Sequence, residues 1–257
     1  MKQKSRILLK IGSNTLTKET DQISRGKIED IGRQIATLKD DYEVIIVSSG
    51  AIAAAKQFVK LEHNGEEINV KQALAAIGQP HLMRMFQESF RELGLFAAQC
   101  LLSYSDFRNA KSKANIKNTI DILVANNFIP IINENDTVAA DEIQFGDNDK
   151  LAALTASLLG ADILIIATNT DGIYTKASME SGKPKTIASI SEIKKLTQEI
   201  GSQKSSHGTG GMVSKIEAAT IAQKSGTETW IVNGLSDNFI IAALEGRSQH
   251  TRIQKLK

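Results

Sequence analysis

Short apolar runs alternate with segments of helical periodicity along most of the chain. Mainly apolar runs occur at residues 7–11, 44–47, 95–102, 129–132, 162–167 and 229–232, with a shorter one at 251–253. Runs of this length without polar alternation are typical of strands buried on both faces of a parallel sheet. Between the first two runs, Ser24 precedes apolar residues at 28, 31, 35 and 38, which predicts an amphipathic helix capped by that serine.

The same periodicity predicts further helices and hence an α/β fold. We expect them at residues 70–93, 112–126, 149–159, 215–224 and 238–244, the first interrupted near Gly78 and Pro80, with an extended region from the turn at 168–172 to residue 189. Repeated strand–helix units predict a three-layer αβα sandwich around a mainly parallel central sheet. Because no repeat or linker divides the chain, we expect one domain over residues 1–257.

Four of the predicted strands end in polar or glycine-containing segments. These segments are residues 10–14, 48–50, 133–136 and 168–172. Ligands of parallel α/β sheets bind beyond the carboxyl ends of the strands. The coincidence predicts one composite ligand site at that edge of the sheet.

The most polar segment lies between residues 133 and 149, where six carboxylates and three asparagines occur. This segment has four possible interpretations: a solvated acidic loop, a metal site, a set of general acids and bases, or a ligand-binding site. Basic and glycine-rich partners elsewhere in the chain favour the ligand site.

Two lysines stand beside glycine-rich turns. Lys10 ends the first predicted strand just before Gly12, and Lys215 follows the loop that contains Gly208, Gly210 and Gly211. An ammonium group at the end of a buried strand needs either a salt-bridge partner or an anionic ligand. Two ammonium groups and glycine-turn N–H groups suit phosphoryl transfer, whose transition state carries distributed negative charge. The order of residues is not that of a Walker A loop or of a dinucleotide-binding fingerprint.

Composition narrows the class of protein. The chain has 257 residues, a formal net charge of +2 and 41% hydrophobic residues, so no strong attraction to nucleic acid or membranes is expected. The one cysteine, Cys100, lies in an apolar run and is expected to be buried. A single cysteine cannot form a disulfide within the chain, which suits a cytoplasmic protein. The N-terminal residues predict a strand rather than a signal peptide, and no segment is apolar enough to span a membrane.

No nucleophile and base pair is evident, and no histidine has the spacing of a metal site. An acceptor that is already ionised, such as a carboxylate, would need no base. Mg²⁺ bound to nucleotide oxygens would keep several waters and need few protein ligands. We therefore expect no dedicated protein metal site.

The chain resembles the amino acid kinase family over nearly its whole length. The residues that carry the resemblance lie at 10–13, 47–54, 75–79, 132–136, 146–149, 171–174 and 208–212, together with Lys215. The pair Asn-Glu-Asn-Asp and Gly-Asp-Asn-Asp is specific to the branch that phosphorylates the side chain of glutamate. That resemblance implies ATP and Mg²⁺ as cofactors, γ-glutamyl phosphate as the product, and the first step of proline biosynthesis.

The resemblance also implies residue roles. Lys10 and Lys215 would stabilise the transferring phosphoryl group and Asp149 would orient both lysines; Glu134, Asp141 and Glu142 are left as structural or solvated. Glutamate would contact Ser49, Asp136 and Asn148. ATP would contact Lys10, Gly12, Gly50, Thr168, Asn169, Thr209, Gly210, Gly211, Met212, Val213, Ser214 and Lys215.

Further expectations come from the family alone. It implies a homo-oligomer, a dimer or tetramer, and hand-over of the labile product to glutamate semialdehyde dehydrogenase. Two departures stand out: Asn169 replaces the usual aspartate, and the chain leaves no room for the C-terminal PUA domain of many relatives.

Two other functions are compatible with these sequence features. A sister kinase acting on N-acetylglutamate, aspartate, carbamate or UMP is the nearest rival, and a non-catalytic nucleotide-binding regulator is the rival from another class.

Overall fold

The computed structural model describes residues 4–62, 67–139, 148–193 and 211–256. Its strands are β1 (Ser5–Ile11), β2 (Tyr42–Ser48), β3 (Phe96–Leu102), β4 (Phe128–Glu134), β5 (Ile163–Thr168), β6 (Ser189–Ile190), β7 (Glu228–Asn233) and β8 (His250–Ile253). They form one eight-stranded sheet in the order β3-β4-β2-β1-β5-β7-β8-β6. The β7–β8 pair is antiparallel and every other described pair is parallel.

Helices connect the strands. They are α1 (Ser13–Thr17), α2 (Arg25–Leu38), α3 (Ala51–Lys56), α4 (Ile68–Arg91), α5 (Ala110–Ala125), α6 (Asp149–Leu159), α7 (Lys176–Glu180), α8 (Met212–Lys224) and α9 (Phe239–Leu244), with a 3₁₀ helix at Tyr104–Arg108. The predicted α/β architecture with a mainly parallel sheet is confirmed. Among the described helices, none combines the length and apolarity that crossing a bilayer requires.

The two faces of β1 pack against different helices. Ile7 and Leu9 join a core with residues of α2 and α4, whereas Leu8 joins a core with residues of α5, α6 and α8. Side chains alternate along a strand, so Lys10 lies on the same face as Leu8. The sheet thus directs the Lys10 ammonium toward the side where α6 and α8 lie.

Strand order brings the predicted polar segments together. The strands β4, β2, β1 and β5 are neighbours and run parallel, so their carboxyl ends share one edge of the sheet. The connection reverses direction at β1, because β2 lies on one side of it and β5 on the other. Such a switch point opens a crevice for ligands.

Local signals account for several element boundaries. The Ser24 side chain accepts a hydrogen bond from the Lys27 N–H at the start of α2, which is the predicted cap. Helix α6 begins at Asp149 and ends before Gly160, whose φ of 63° is readily adopted by glycine.

The predicted interruption near Gly78 and Pro80 is wrong, because α4 runs without a break from Ile68 to Arg91. Packing explains why a glycine occurs at position 78 of this helix. A Cβ atom at Gly78 would lie 1.9 Å from the Ala51 carbonyl oxygen, so only glycine lets α4 approach α3 this closely. Tertiary contact of this kind outweighs the local cost of a glycine in a helix.

Other differences are smaller. Helix α8 begins at Met212, three residues before the predicted start, and α7 is a short helix in the region predicted to be extended. Cys100 is partly rather than fully buried, because β3 lies at the edge of the sheet. Burial still raises the pKa of its thiol.

Candidate functional site

A buried carboxylate lies between two ammonium groups at the carboxyl end of β1. Lys10 Nζ is 2.6 Å from Asp149 Oδ1, and Lys215 Nζ is 3.0 Å from Asp149 Oδ2. The three side chains come from β1, α6 and α8, and Asp149 has no exposed surface. The structure therefore brings together the three residues predicted to be catalytic. Asp149 is a salt-bridge partner for Lys10, one of the two possibilities that the sequence left open for this lysine.

Charge keeps Asp149 ionised in spite of its burial. Desolvation by itself would raise its pKa, but the ammonium groups of Lys10 and Lys215 reverse that effect and lower the pKa to about 2. The Ser214 hydroxyl lies 3.1 Å from Asp149 Oδ2 as well. This carboxylate is therefore a fixed negative charge that holds two cations in place.

Glycines leave room next to this charged cluster. A Cβ at Gly12 would lie 3.5 Å from Lys10 Nζ, so a side chain there would occupy space beside the ammonium group. Gly50 has a φ of 106°, a conformation that L residues with side chains rarely adopt. The two turns follow β1 and β2, and Gly50 lines a cavity between α1 and α3.

Asn148 joins the end of β2 to the end of β4. Its Nδ2 donates to the Ser48 carbonyl oxygen (2.9 Å) and to Asn133 Oδ1 (2.8 Å), and lies 3.3 Å from Ser49 Oγ. The residue is fully buried. Its Oδ1 has no hydrogen-bond partner within the part of the chain that the structure describes. Leaving a buried acceptor unpaired costs about 1–3 kcal/mol, so this oxygen is suited to a ligand donor.

Asp136 is a second buried acceptor near the same strand end. Its Oδ1 is without a hydrogen-bond partner among residues 4–62, 67–139, 148–193 and 211–256. Burial, aided by the negative charge of Glu134, raises the pKa of Asp136 to about 7. Gln72 Nε2 donates to the Asp136 carbonyl oxygen at 2.9 Å, which ties this turn to α4. Within these described ranges no salt bridge to Asp136 is formed, so a ligand could supply the compensating cation.

A cavity of about 840 Å³ adjoins Asp136. It lies between α1, α3 and the first turn of α4, and includes Asn14, Gly50, Lys56 and Lys71. That volume is within the usual range for small-molecule sites. Another cavity, of about 610 Å³, lies between α4 and β3 and contains none of the predicted site residues.

The predicted nucleotide contacts divide between two places: Gly50 follows β2 and lines the cavity beside Asp136, whereas Thr168 and Asn169 lie across β1 at the end of β5. Thr168 ends β5, and Asn169 Nδ2 donates to Glu19 Oε1 at 2.9 Å. Gly211 caps α8, whose first turn contains Met212, Val213, Ser214 and Lys215. Thr209 and Gly210 lie outside the described residues. The N-terminus of this 13-residue helix therefore begins beside the Asp149 cluster.

Two features were missed from the sequence. The first is that β4 extends two residues beyond its predicted end, which buries Glu134, a residue that the sequence left as either structural or solvated. Asn133 and Gln79 belong to the hydrogen-bond network around Asn148. Asp141 and Glu142 fall outside the described residues. Among the described residues, no group of three His, Cys, Asp or Glu side chains could hold a metal ion.

This geometry agrees with the relationships of the chain. The amino acid kinase family matches residues 5–233, and the chain belongs to that family. Within it, the chain is 39% identical over 251 residues to the glutamate 5-kinase of Alkaliphilus metalliredigens, covering 97% of this chain and 95% of that protein. It is 41% identical over 254 residues to the glutamate 5-kinase of Thermoanaerobacter sp. strain X514, covering 98% of this chain and 68% of that protein.

Solved structures with the same fold are more distant in sequence. UMP kinase from Ureaplasma parvum superposes with a TM-score of 0.67 at 19% identity, covering 98% of this chain and all of that one. Carbamate kinase from Giardia lamblia, bound to AMP-PNP, superposes with a TM-score of 0.69 at 18% identity over the full length of both chains. At this identity the likeness supports the three-layer fold alone.

Proposed function

We propose that the chain catalyses ATP-dependent phosphorylation of the L-glutamate side-chain carboxylate, giving γ-glutamyl phosphate and ADP. The observation that carries the proposal is the buried Asp149 between Lys10 and Lys215. A second group of buried polar residues lies close to it, and two of its acceptors, Asn148 Oδ1 and Asp136 Oδ1, have no hydrogen-bond partner among the described residues. The glutamate 5-kinase relatives support the same activity. The reaction would be the first step of proline biosynthesis.

The lysines would act on the phosphoryl group. In the transfer, a glutamate carboxylate oxygen forms a bond to the γ-phosphorus while the bond from that phosphorus to the ADP oxygen breaks. Negative charge on the transferred group then faces the ammonium groups of Lys10 and Lys215, which Asp149 has already placed. Preorganised charges of this kind stabilise the transition state without reorganisation.

The residues Ser49, Asp136 and Asn148, which we call the acceptor side, would recognise the amino acid. The glutamate ammonium group can donate to Asp136 Oδ1 and Asn148 Oδ1, two acceptors that lack hydrogen-bond partners among the described residues. Ser49 lies within reach of Asn148 and would complete the contact. The reacting carboxylate is ionised at neutral pH, so no general base is needed.

ATP would lie across the glycine turns and α8. We assign its contacts to Lys10, Gly12, Gly50, Thr168, Asn169 and residues 209–215. The donor set fits a nucleotide-borne Mg²⁺ better than a protein-held one, because the carboxylate nearest the lysines, Asp149, is already engaged by both of them. When bound, Mg²⁺ would neutralise phosphate charge while keeping most of its water ligands.

Several wider expectations remain part of the proposal. We infer one amino acid kinase domain over residues 1–257, a homo-oligomeric enzyme, a cytoplasmic location and transfer of the labile product to a dehydrogenase. The single eight-stranded sheet supports the first of these.

An ADP-release assay with L-glutamate, ATP and Mg²⁺ tests the proposal, with hydroxylamine added in parallel to trap an acyl phosphate as the hydroxamate. Glutamate-dependent ADP release with a matching yield of hydroxamate is the expected result. ADP release that does not depend on glutamate, or that yields no hydroxamate, would overturn it.

A further inference from the structure

A chain of four side-chain carboxamides leads from the edge of the sheet to Asn148. Gln79 Nε2 donates to Gln99 Oε1 at 3.1 Å, and Asn133 Nδ2 donates to Gln79 Oε1 at 2.9 Å. Asn148 Nδ2 then donates to Asn133 Oδ1 at 2.8 Å. Every link runs in the same direction, with a nitrogen donating to the next oxygen toward β3. We call these residues the amide relay.

Backbone groups fix the direction of the relay. The Glu134 N–H donates to Asn133 Oδ1 at 2.9 Å, and the Ser48 carbonyl accepts from Asn148 Nδ2 at 2.9 Å. A backbone N–H can only donate and a carbonyl can only accept. Rotating either amide by 180° would therefore oppose two donors or two acceptors, so the orientation of Asn133 and Asn148 follows from the fold itself.

This direction determines what Asn148 offers a ligand. Its nitrogen is used by Ser48 and Asn133, so the group left over is its oxygen, which has no partner among the described residues. An oxygen accepts hydrogen bonds and so favours a ligand group rich in donors, such as an ammonium.

Gln79 lies where α4 packs closely against α3. It follows Gly78, whose missing side chain lets α4 contact the backbone of α3 at Ala51. Gln79 itself is buried, and its oxygen is the acceptor for Asn133 Nδ2.

We propose that Gln79 is a positioning residue that acts through Asn133 to hold the Asn148 carboxamide with its oxygen directed at the substrate ammonium group. The inference rests on the proposed function, which places that ammonium at Asn148 and Asp136. Gln79 touches neither substrate nor nucleotide in this account. Its effect should therefore fall on glutamate binding and leave the phosphoryl side unchanged.

The test compares Gln79→Met with Gln87→Met, the same change at an exposed position of α4. Methionine is close in size to glutamine but leaves Asn133 Nδ2 without an acceptor. We expect the KM for glutamate to rise about tenfold, which corresponds to losing one buried hydrogen bond. The kcat and the KM for ATP should stay within about twofold of the parent values, and Gln87→Met should resemble the parent in all three.

Gln79→Glu supplies the rescue, because a carboxylate oxygen still accepts from Asn133 Nδ2. Its KM for glutamate should return to within about threefold of the parent value. A KM as high as that of Gln79→Met, or a Gln79→Met enzyme with the parent KM, would overturn the inference.

Two further outcomes also test the inference. If Gln79→Met fails to fold, Gln99→Met at the exposed end of the relay takes its place; a rise in KM for glutamate of about threefold supports the relay and an unchanged KM overturns it. If the parent does not phosphorylate glutamate, the proposed function fails and this inference fails with it. A failure of the inference alone leaves parental turnover of glutamate intact.

Discussion

The two halves of the candidate site, which we call the phosphoryl side and the acceptor side, differ in how their buried polar groups are paired. On the phosphoryl side, each oxygen of Asp149 faces an ammonium group, Lys10 at 2.6 Å and Lys215 at 3.0 Å. On the acceptor side, Asn148 Oδ1 and Asp136 Oδ1 have no hydrogen-bond partner among the described residues. In the described part of the chain, the charges of the first half are paired without ligand, whereas the second half has no cationic donor. From this difference we expect the first half to control the rate and the second half to recognise the amino acid.

Removing the charge of Asp149 should have the largest effect. Asp149→Asn leaves two buried ammonium groups without their carboxylate, so we expect the free energy of unfolding to fall by about 3–5 kcal/mol. Urea denaturation at neutral pH measures this, with Asp40→Asn on the exposed surface as the matched control. The pKa of Asp149 is lowered, so its contribution is full above pH 4 and is lost as pH falls toward 2. Equal stability of parent and Asp149→Asn near neutral pH would show that the ion pairs of Asp149 with Lys10 and Lys215 do not stabilise the fold.

Lys215→Ala should separate rate from recognition. Losing one preorganised charge at the transferred group should lower kcat by roughly 10²–10³-fold. The KM for glutamate should change less than about threefold, because Lys215 is outside the acceptor side. Lys224→Ala, at the exposed end of the same helix, should behave like the parent. An unchanged kcat in Lys215→Ala would remove the lysine from the phosphoryl clamp.

Asp136→Asn should give the opposite kinetic pattern. The neutral amide keeps the size of the side chain but removes the counter-ion for the glutamate ammonium group. Truncating one partner of a buried charge pair costs 2–5 kcal/mol, so the KM for glutamate should rise about 100-fold or more. The KM for ATP should hardly move. A parental KM for glutamate would place the ammonium group elsewhere.

The acceptor side should also depend on pH near neutrality. The pKa of Asp136 is raised to about 7, so protonation removes the counter-ion as pH falls through that value. The KM for glutamate should then rise, approaching tenfold per pH unit between about pH 6.5 and 5. Asp136→Asn should show no such rise. A parental KM that is flat over this range would contradict the assignment.

The same pKa shift has the reverse sign for the stability of the ligand-free protein. A carboxyl group whose folded pKa lies above its unfolded value penalises the folded state once it is ionised. That penalty is complete above about pH 7 and disappears as pH falls toward 4. Unfolding experiments without glutamate should therefore show Asp136→Asn more stable than the parent at pH 8, with the gap closing near pH 4.

The sequence predicted the phosphoryl side better than the acceptor side, for a physical reason. The strand at 7–11, the helix start at Asp149 and the glycine turn before Lys215 are local patterns, and parallel strand ends bring their side chains to one edge. The amide relay has no local signature, because Gln79 and Asn133 are 54 positions apart and neutral amides occur in any loop. Its members become recognisable only when β4 is seen to extend to Glu134 and α4 to pass Gly78 unbroken.

The central claim is that the acceptor side selects a free ammonium group while the phosphoryl side is indifferent to it. The most direct measurement is the ratio of kcat/KM for L-glutamate to that for N-acetyl-L-glutamate, in the parent and in Asp136→Asn. We expect the parent to prefer L-glutamate by about 100-fold or more, and this preference to collapse in the variant, since the lost charge pair accounts for it. A parent enzyme that uses both compounds equally well would contradict the account.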